Sequence, residues 1–340
     1  MAKAVDNELS FTYYDKSWKQ APAIKNIMAK RFMNEEAMAK AYKSNEIDGV
    51  FADHSNVGLY KYTKNTKTMN VRTNEFYYLL PNLSSGVMSK LKIRQILSYG
   101  LDKDSIVSRA FDSNAIVSDF PIPSEYYIFD NELLTYSLDL GKCIRKFNVL
   151  GYTQRVEGAS TYMEKDGQKF TIRIIGLKEE NIYHKIIAQT IKSQFEEIGI
   201  VVEISLLTGE EYSNAIKNKD YDLAIANTTI SSEFDLRYLL RSGGSCNYNG
   251  INIEEVNSSL DSIAVTKNDP TKIKEEYVKV QEHMVKQLPM LGLCFVTDTF
   301  VYSDRLGNVS GAYSNYNMLE NIHRWSFEGG NSYTAEQRAD

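Results

Sequence analysis

The sequence predicts an α/β protein, in which helices cover a sheet that contains parallel strands. The stretch from residue 181 to 229 carries this prediction, because a helical pattern, a glycine, a β-branched strand, a short helix and a second strand follow one another. Gly199 sits where a helix end needs a left-handed backbone, and residues 200–206 then form a β-branched run. The apolar positions of the first helix recur at spacings of three to five: Ile182, Ile186, Thr190 and Phe195, flanked by Ile187, Ile191 and Ile198.

The second strand of this stretch ends in polar residues. Residues 221–226 predict a buried strand, and Asn227, Thr228 and Thr229 follow it directly. Ligands of open α/β sheets bind beyond the carboxyl ends of the strands. These three residues are therefore candidates for a binding site, with hydrogen bonding at the strand end as the structural alternative.

The composition limits the possible functions. The chain has 340 residues, of which 43% are hydrophobic and 24% charged, as in ordinary globular proteins long enough for two domains. A net charge of -5 argues against a nucleic-acid partner, because phosphate binding needs a basic surface. The 23 tyrosines, against 14 phenylalanines, suit ligand clefts and wet interfaces. The sequence has no run of 18 apolar residues and no signal-peptide pattern in residues 1–30, which taken alone predicts a cytoplasmic protein.

The three cysteines do not predict a disulfide framework. Cys143, Cys246 and Cys294 are far apart in the chain and include no CxxC spacing. Cys143 lies in a helical pattern and Cys294 in an apolar strand, so both are expected to be small buried residues. Cys246 lies in a Gly-rich loop and is the candidate for an exposed thiol, and a single disulfide stays open.

The remaining chain alternates strand and helix patterns with clear end signals. Asn34 and Asp102 are predicted helix N-caps, Gly100 a helix end, and Asp166-Gly167 the turn of a hairpin. The predicted strands cover residues 11–14, 23–32, 46–52, 75–80, 170–175 and 290–301. The predicted helices cover residues 34–45, 90–99, 102–111, 137–150, 253–264 and 272–287.

Seven segments in a fixed order resemble the family 5 extracellular solute-binding proteins, the oligopeptide, dipeptide and nickel receptors of bacterial ABC importers. Residues 92–107 are similar to the family's VRQALSYAIDRDAIV segment, and residues 247–250 to its NYSGY loop. The other similar segments are residues 34–48, 120–123, 138–152, 191–202 and 221–223. Each segment alone is weak, but their common order over roughly residues 30 to 310 is specific.

The resemblance implies a type II periplasmic-binding-protein-like fold, with two α/β lobes that close on a ligand by hinge motion. It implies a remnant of the first lobe in residues 1–75, a complete second lobe with a mixed sheet in 76–305, a return to the first lobe in 306–328 and a tail in 329–340. The implied function is capture of a peptide or similar small polar solute for ABC permease subunits, with no cofactor. We expect a C-terminal fragment that binds weakly alone, whose missing N-terminal half would carry the lipoprotein signal for the extracellular face of the membrane.

The resemblance also directs attention to particular side chains. Peptide-binding relatives carry an acidic residue shortly after the strand at 221–226, but this chain has Ser231 at that position. Glu233 or Asp235 is a possible substitute, with solvated or helix-capping roles as the alternative. One of Tyr77 and Tyr78 is expected to face the ligand and the other the core. By resemblance, the expected cleft is also bordered by Cys246, Asn247 and Tyr248, with a structural turn as the equal alternative.

The sequence does not indicate an enzyme or a metal site. His54, His184, His283 and His323 are scattered, and His184 and His283 fall in polar parts of helices, so surface or half-buried roles are expected. The sequence contains no GxSxG motif and no phosphate-binding glycine loop. The alternative to solute binding is a stand-alone interaction module that pairs with the missing N-terminal half or another protein.

Overall fold

The computed structural model describes residues 2–5, 7–84, 86–158, 160–178, 182–266, 268–309 and 319–327. The backbone divides into two compact units. Unit 1 comprises Met1–Thr73 with Thr297–Asp340, and unit 2 comprises Asn74–Val296, where the sequence suggested a lobe over 76–305. The tail expected at 329–340, and residues 310–318 and 328 of the expected return segment, lie outside the described residues.

The strands and helices follow in chain order. The strands are β1 (Ala2–Val5), β2 (Glu8–Thr12), β3 (Asn26–Lys30), β4 (Gly49–Ala52), β5 (Thr66–Pro81), β6 (Ala115–Val117), β7 (Thr153–Glu157), β8 (Ser160–Lys165), β9 (Gln168–Lys169), β10 (Thr171–Leu177), β11 (Val201–Leu207), β12 (Leu223–Thr229), β13 (Leu291–Ser303), β14 (Leu306–Gly307) and β15 (Ser326–Phe327). The helices are α1 (Glu35–Lys43), α2 (Leu91–Tyr99), α3 (Lys103–Phe111), α4 (Leu140–Val149), α5 (Ile182–Glu197), α6 (Gly209–Asn218), α7 (Arg237–Leu240), α8 (Glu254–Val265) and α9 (Pro270–Gln287).

A mixed sheet forms the centre of unit 2. The strand order is β11, β10, β12, β5 and β13, and β6 pairs with β13. β10 is parallel to both β11 and β12, whereas β12 is antiparallel to β5. The long connections that parallel strands need are provided here by α5, between β10 and β11, and by α6, between β11 and β12. This arrangement confirms the α/β class and the mixed sheet.

Helices cover both faces of this sheet. One apolar cluster packs α2, α3, α4 and α5 against it through Ile93, Ile106, Phe147 and Ile187. The other cluster packs α6, α7, α8 and α9 through Ala215, Leu239, Leu260 and Val280. Successive residues of a strand point to opposite faces, so the apolar residues of the central strands enter one cluster or the other.

The helix-to-strand unit that the sequence predicted is present, with one shift. Gly199 has φ 81°, which favours glycine. A Cβ there would also lie only 3.1 Å from the backbone nitrogen of Met163, which gives a second reason for glycine. The predicted hairpin also forms, since Asp166 and Gly167 both have positive φ between paired β8 and β9. The shift is confined to the first turn of α5, where Ile182 is 60% exposed and His184 is buried, whereas the predicted Thr190 and Phe195 are buried. The fully buried residues of α5 are His184, Ile187, Ala188, Thr190, Ile191 and Phe195.

Unit 1 contains smaller elements. β1, β2 and β3 form an antiparallel sheet, and the Asn34 side chain accepts a hydrogen bond from the Ala37 amide at 2.8 Å at the start of α1, as predicted. β4 pairs antiparallel with the last part of β13, where Ala52 lies opposite Thr299. A small core forms around Tyr42, Val50, Tyr60 and Val301. In the part of the chain that the structure describes, every helix is too short or too polar to cross a membrane.

Candidate ligand-binding site

Polar side chains collect at one edge of the unit 2 sheet, where three strands end. The parallel strands β10, β11 and β12 all have their carboxyl ends at this edge. Asn227 and Thr229 are exposed there, and Thr228 between them is half-buried. The antiparallel register sets Asn227 opposite Tyr77 and Thr229 opposite Glu75 of β5. The edge therefore combines backbone ends, amide and hydroxyl groups and one carboxylate.

Asn227 joins this edge to the neighbouring strand. Its Nδ2 donates a hydrogen bond of 2.8 Å to Oε1 of Glu75. The bond fixes the orientation of the amide, because Nδ2 must face the carboxylate and Oδ1 must then face away from it. Asn227 is thus held in one orientation while its side chain remains exposed, as a binding residue requires.

The buried side chain of His184, on α5, lies next to the side chain of Asn227. His184 is only 1% exposed, and its Nδ1 accepts a hydrogen bond of 3.1 Å from the Leu177 amide at the end of β10. Burial lowers the pKa of His184 to about 4, and the neighbouring Asn227 side chain offsets part of that effect. The imidazole is therefore neutral near pH 7, and because Nδ1 accepts, the ring hydrogen is on Nε2. Nε2 is buried without a hydrogen bond of normal geometry among the described residues.

Tyr238 contacts the last residue of β12, and Cys246 and Tyr248 are connected to Tyr238. The Tyr238 hydroxyl donates to the Thr229 carbonyl at 3.2 Å, and the Tyr238 carbonyl accepts from the Cys246 amide at 2.8 Å. Burial raises the pKa of Tyr238, so its hydroxyl stays protonated. Tyr248, 47% exposed, donates to Sγ of Cys246 at 3.7 Å. Cys246 is a half-buried free thiol, and Cys143 and Cys294 are also free.

Two of the predicted site residues, Asn247 and Ser231, form side-chain hydrogen bonds to the backbone of nearby loops. Nδ2 of Asn247 donates to the carbonyls of Arg241 and Ile251, at 2.9 and 2.7 Å, and its Oδ1 accepts from the Ile251 amide. Ser231 accepts a hydrogen bond of 3.1 Å from the Asp235 amide through Oγ, which shapes the turn before α7. In this structure the polar atoms of both side chains are engaged within the protein, and for Asn247 this agrees with the structural turn given as the alternative.

Tyr77 and Tyr78 alternate between the two faces of β5, as expected, but neither ring is accessible. Both residues are 1% exposed. Tyr77 packs edge-on against Phe111 at a centroid distance of 5.0 Å, and Tyr78 stacks with Phe76 at 5.7 Å. Because helices cover both faces of the sheet, alternation places each ring in an apolar core, and neither ring is available to a solute.

Reasoning from the sequence missed His184 and Glu75. His184 was expected in a polar part of its helix, which is wrong, because it is buried against the sheet edge. A periodic signal was available, because His184 and Ala188 continue at helical spacing the face that contains the predicted Ile191 and Phe195. No comparable signal exists for Glu75, whose position depends on pairing with a strand far along the chain, as its bond to Asn227, 152 residues away, shows.

The fold is an α/β fold of the periplasmic-binding-protein-like type II class, and comparison with known proteins gives the family. Residues 4–250 match the model of bacterial extracellular solute-binding proteins, family 5 middle region, and the chain belongs to this family. Among curated proteins, it is 21% identical over 260 residues to the oligopeptide-binding protein AppA of Bacillus subtilis (strain 168). That match covers 74% of this chain and 46% of AppA, so the chain spans about half the length of this relative.

Solved structures show the same fold. A nickel ABC transporter protein from Bacillus halodurans superposes with a TM-score of 0.78 at 21% identity, covering 93% of this chain and 66% of that one. An ABC transporter substrate-binding protein from Sinorhizobium meliloti gives 0.77 at 17% identity, covering 92% and 65%. AppA from Bacillus subtilis, in complex with a nonapeptide, gives 0.63 at 17% identity, covering 96% and 66%. These likenesses confirm the type II fold class.

Proposed function

We propose that the chain is part of the solute receptor of an ABC importer. This receptor captures a peptide or similar small polar solute. Membership of the family of extracellular solute-binding proteins carries this proposal. The named relatives include an oligopeptide-binding protein and a nickel transporter protein, so both solute types occur among similar chains. The same membership favours solute capture over a stand-alone interaction module.

The strand-end edge of unit 2 supplies groups suited to such a solute. Asn227 presents an amide held by Glu75 and Thr229 presents a hydroxyl, while Tyr248, in the loop bonded to Tyr238, presents a half-exposed ring. Amides and hydroxyls both donate and accept, which matches the alternating donors and acceptors of a peptide backbone. We assign recognition of the solute's polar groups to Asn227 and Thr229, and packing of its apolar part to Tyr248.

The proposal includes partners and a location. ABC permease subunits would receive the solute, and the extracellular side of the membrane would be the place of capture, in keeping with the family's description. Anchoring through a lipoprotein signal, and pairing with a separate N-terminal half, stay predictions of the resemblance.

A binding titration tests the proposed site. A mixture of short peptides is screened by nuclear magnetic resonance, which detects weak binding, and the best peptide is then titrated against each variant. Asn227→Ala and Thr229→Ala are each expected to weaken binding by about tenfold, the loss of one good hydrogen bond. Thr171→Ala is the matched control, because Thr171 is an exposed threonine at the amino end of β10. Equal affinities in all three variants would place recognition elsewhere.

A further inference from the structure

A cluster of side chains that could bind a metal ion lies in unit 1, separate in sequence from the strand-end edge. It consists of Asp53, His54 and Asp298, whose nearest ligand atoms all lie within 4.8 Å of one another. Nδ1 of His54 is 3.6 Å from Oδ1 of Asp53 and 3.6 Å from Oδ1 of Asp298. The solute-binding proposal does not use any of these residues.

The sheet brings the three residues together. β4 and β13 are antiparallel, with Ala52 opposite Thr299, and continuing this register by one residue sets Asp53 opposite Asp298. His54 follows directly and turns its ring towards both carboxylates. The cluster is therefore placed by strand pairing, which is more rigid than a loop alone.

The distances suit a shared cation better than hydrogen bonds. A separation of 3.6 Å is too long for a hydrogen bond, so His54 and the two carboxylates are spaced as neighbours in an ion pair or as ligands of one cation. Ligand atoms about 2.1 Å from one tetrahedral ion lie roughly 3.4 Å apart, close to the separations seen here. Two carboxylates held together also repel each other unless a positive charge lies between them.

Burial and neighbouring groups support the same assignment. The His54 side chain is 11% exposed and that of Asp298 is 23% exposed. Oδ1 of Asp298 is itself buried and has no hydrogen-bond partner among the described residues. Asp53 is oriented by Ser55, whose amide and hydroxyl donate to Oδ1 at 2.7 and 2.6 Å. These two bonds occupy the lone pairs of Oδ1, so Oδ2 is the Asp53 oxygen left for a cation, and the Ser55 bonds act as outer-shell support.

We propose that Asp53, His54 and Asp298 form a zinc site in unit 1. One imidazole nitrogen with two carboxylates favours Zn²⁺ over Mg²⁺ or Ca²⁺, which prefer oxygen ligands only. Three protein ligands leave the fourth tetrahedral position to water. The ion would tie the end of β4 to β13, so its role is to hold unit 1 together.

Zinc binding to the full chain, prepared without a histidine tag, tests this assignment. The wild-type protein is expected to bind one equivalent of Zn²⁺ in calorimetry and to retain it on gel filtration, measured by atomic absorption. His54→Ala and Asp298→Asn are each expected to weaken the affinity at least tenfold. His283→Ala is the matched control, because His283 lies on α9 in unit 2 and is not part of the cluster.

Cobalt gives an independent readout. Co²⁺ in place of Zn²⁺ should produce the visible absorption of a tetrahedral nitrogen and oxygen site in the wild type and in His283→Ala, and not in His54→Ala. Absence of zinc binding by the folded wild type, or an equal loss in His54→Ala and His283→Ala, would overturn the proposal. Circular dichroism of each variant separates loss of the ion from loss of the fold, and Asp298→Asn serves where His54→Ala does not fold.

Discussion

His184 shows how one buried side chain links the core to the candidate site. Its Nδ1 accepts from the Leu177 amide, and its ring lies beside Asn227, which in turn is bonded to Glu75. A charged imidazole in this position would lack solvent. Its Nδ1 would also carry a hydrogen that points at the N–H of Leu177, so two donors would oppose each other. The fold therefore selects the neutral ring, and the site depends on it.

Protonation of His184 should destabilise the protein in acid. Its pKa is about 4 in the folded protein, against an ordinary value of 6.5 for histidine in an unfolded chain, so the unfolded chain binds the proton more tightly. The stability from this residue is complete above about pH 6.5 and is lost as the pH falls towards 4. The difference corresponds to about 3 kcal/mol, which urea unfolding measured between pH 7 and pH 4 would detect.

A matched pair of variants isolates this contribution from other titrating groups. His184→Gln keeps a polar side chain but does not titrate, so its free energy of unfolding should fall less between pH 7 and pH 4. His283→Gln, on a half-buried histidine of α9, should keep the full wild-type dependence. The same pH dependence in His184→Gln and in the wild type would contradict the assignment.

At the scale of elements, the ends of helices could be predicted from the sequence more reliably than their packing. Asn34 and Asp102 cap α1 and α3 as predicted, since a cap depends on residues within one turn. The prediction for α5 was wrong only in its first turn, where Ile182 is exposed and His184 is buried, because only tertiary contacts decide which of these two residues faces the sheet. Pairing of β4 with β13 joins distant parts of the chain, such as Ala52 and Thr299, and nothing local encodes it.

Arg94 on α2 illustrates such a long-range contact. Its guanidinium donates to four backbone carbonyls: Met88 at 2.6 Å, Ser89 at 3.1 Å, Gln287 at 2.6 Å and Leu288 at 2.9 Å. The last two carbonyls belong to the C-terminal end of α9, where Leu288 has a left-handed backbone. A helix leaves its last carbonyls without partners, so Arg94 serves as a cap supplied by a distant helix.

Replacing Arg94 should therefore destabilise unit 2 strongly. Arg94→Met keeps much of the apolar volume but leaves buried carbonyls without donors, at a cost of about 3 kcal/mol in the free energy of unfolding. Arg94→Lys should cost less, because an ammonium retains the charge and some donors. Arg145→Met is the control, since that side chain is 70% exposed and should change stability by less than about 0.5 kcal/mol. The free energy of unfolding is measured with guanidinium chloride. An equal decrease in Arg94→Met and Arg145→Met would refute the capping role.

At the scale of the whole molecule, the two units differ in how the chain builds them. Unit 2 is one continuous segment with apolar layers on both faces of its sheet, whereas unit 1 combines two segments of the chain. The resemblance led us to expect a complete lobe over residues 76–305, which stays a prediction, and the compact unit 2 covers Asn74–Val296. Side chains at the site were harder to predict, because burial of Tyr77 and Tyr78 depends on helices far away in sequence.

Unit 2 should fold when it is separated from unit 1. A fragment of residues 74–296 contains both apolar clusters of the sheet and the complete Arg94 cap, so the contacts that stabilise it are internal. We expect a single cooperative urea transition, with a slope smaller than that of the full chain because less surface is exposed on unfolding. The reference is the same fragment with Arg94→Met, which should unfold at lower urea if the native packing is kept. A fragment without a cooperative transition, or one insensitive to Arg94→Met, would show that unit 2 needs unit 1 to fold.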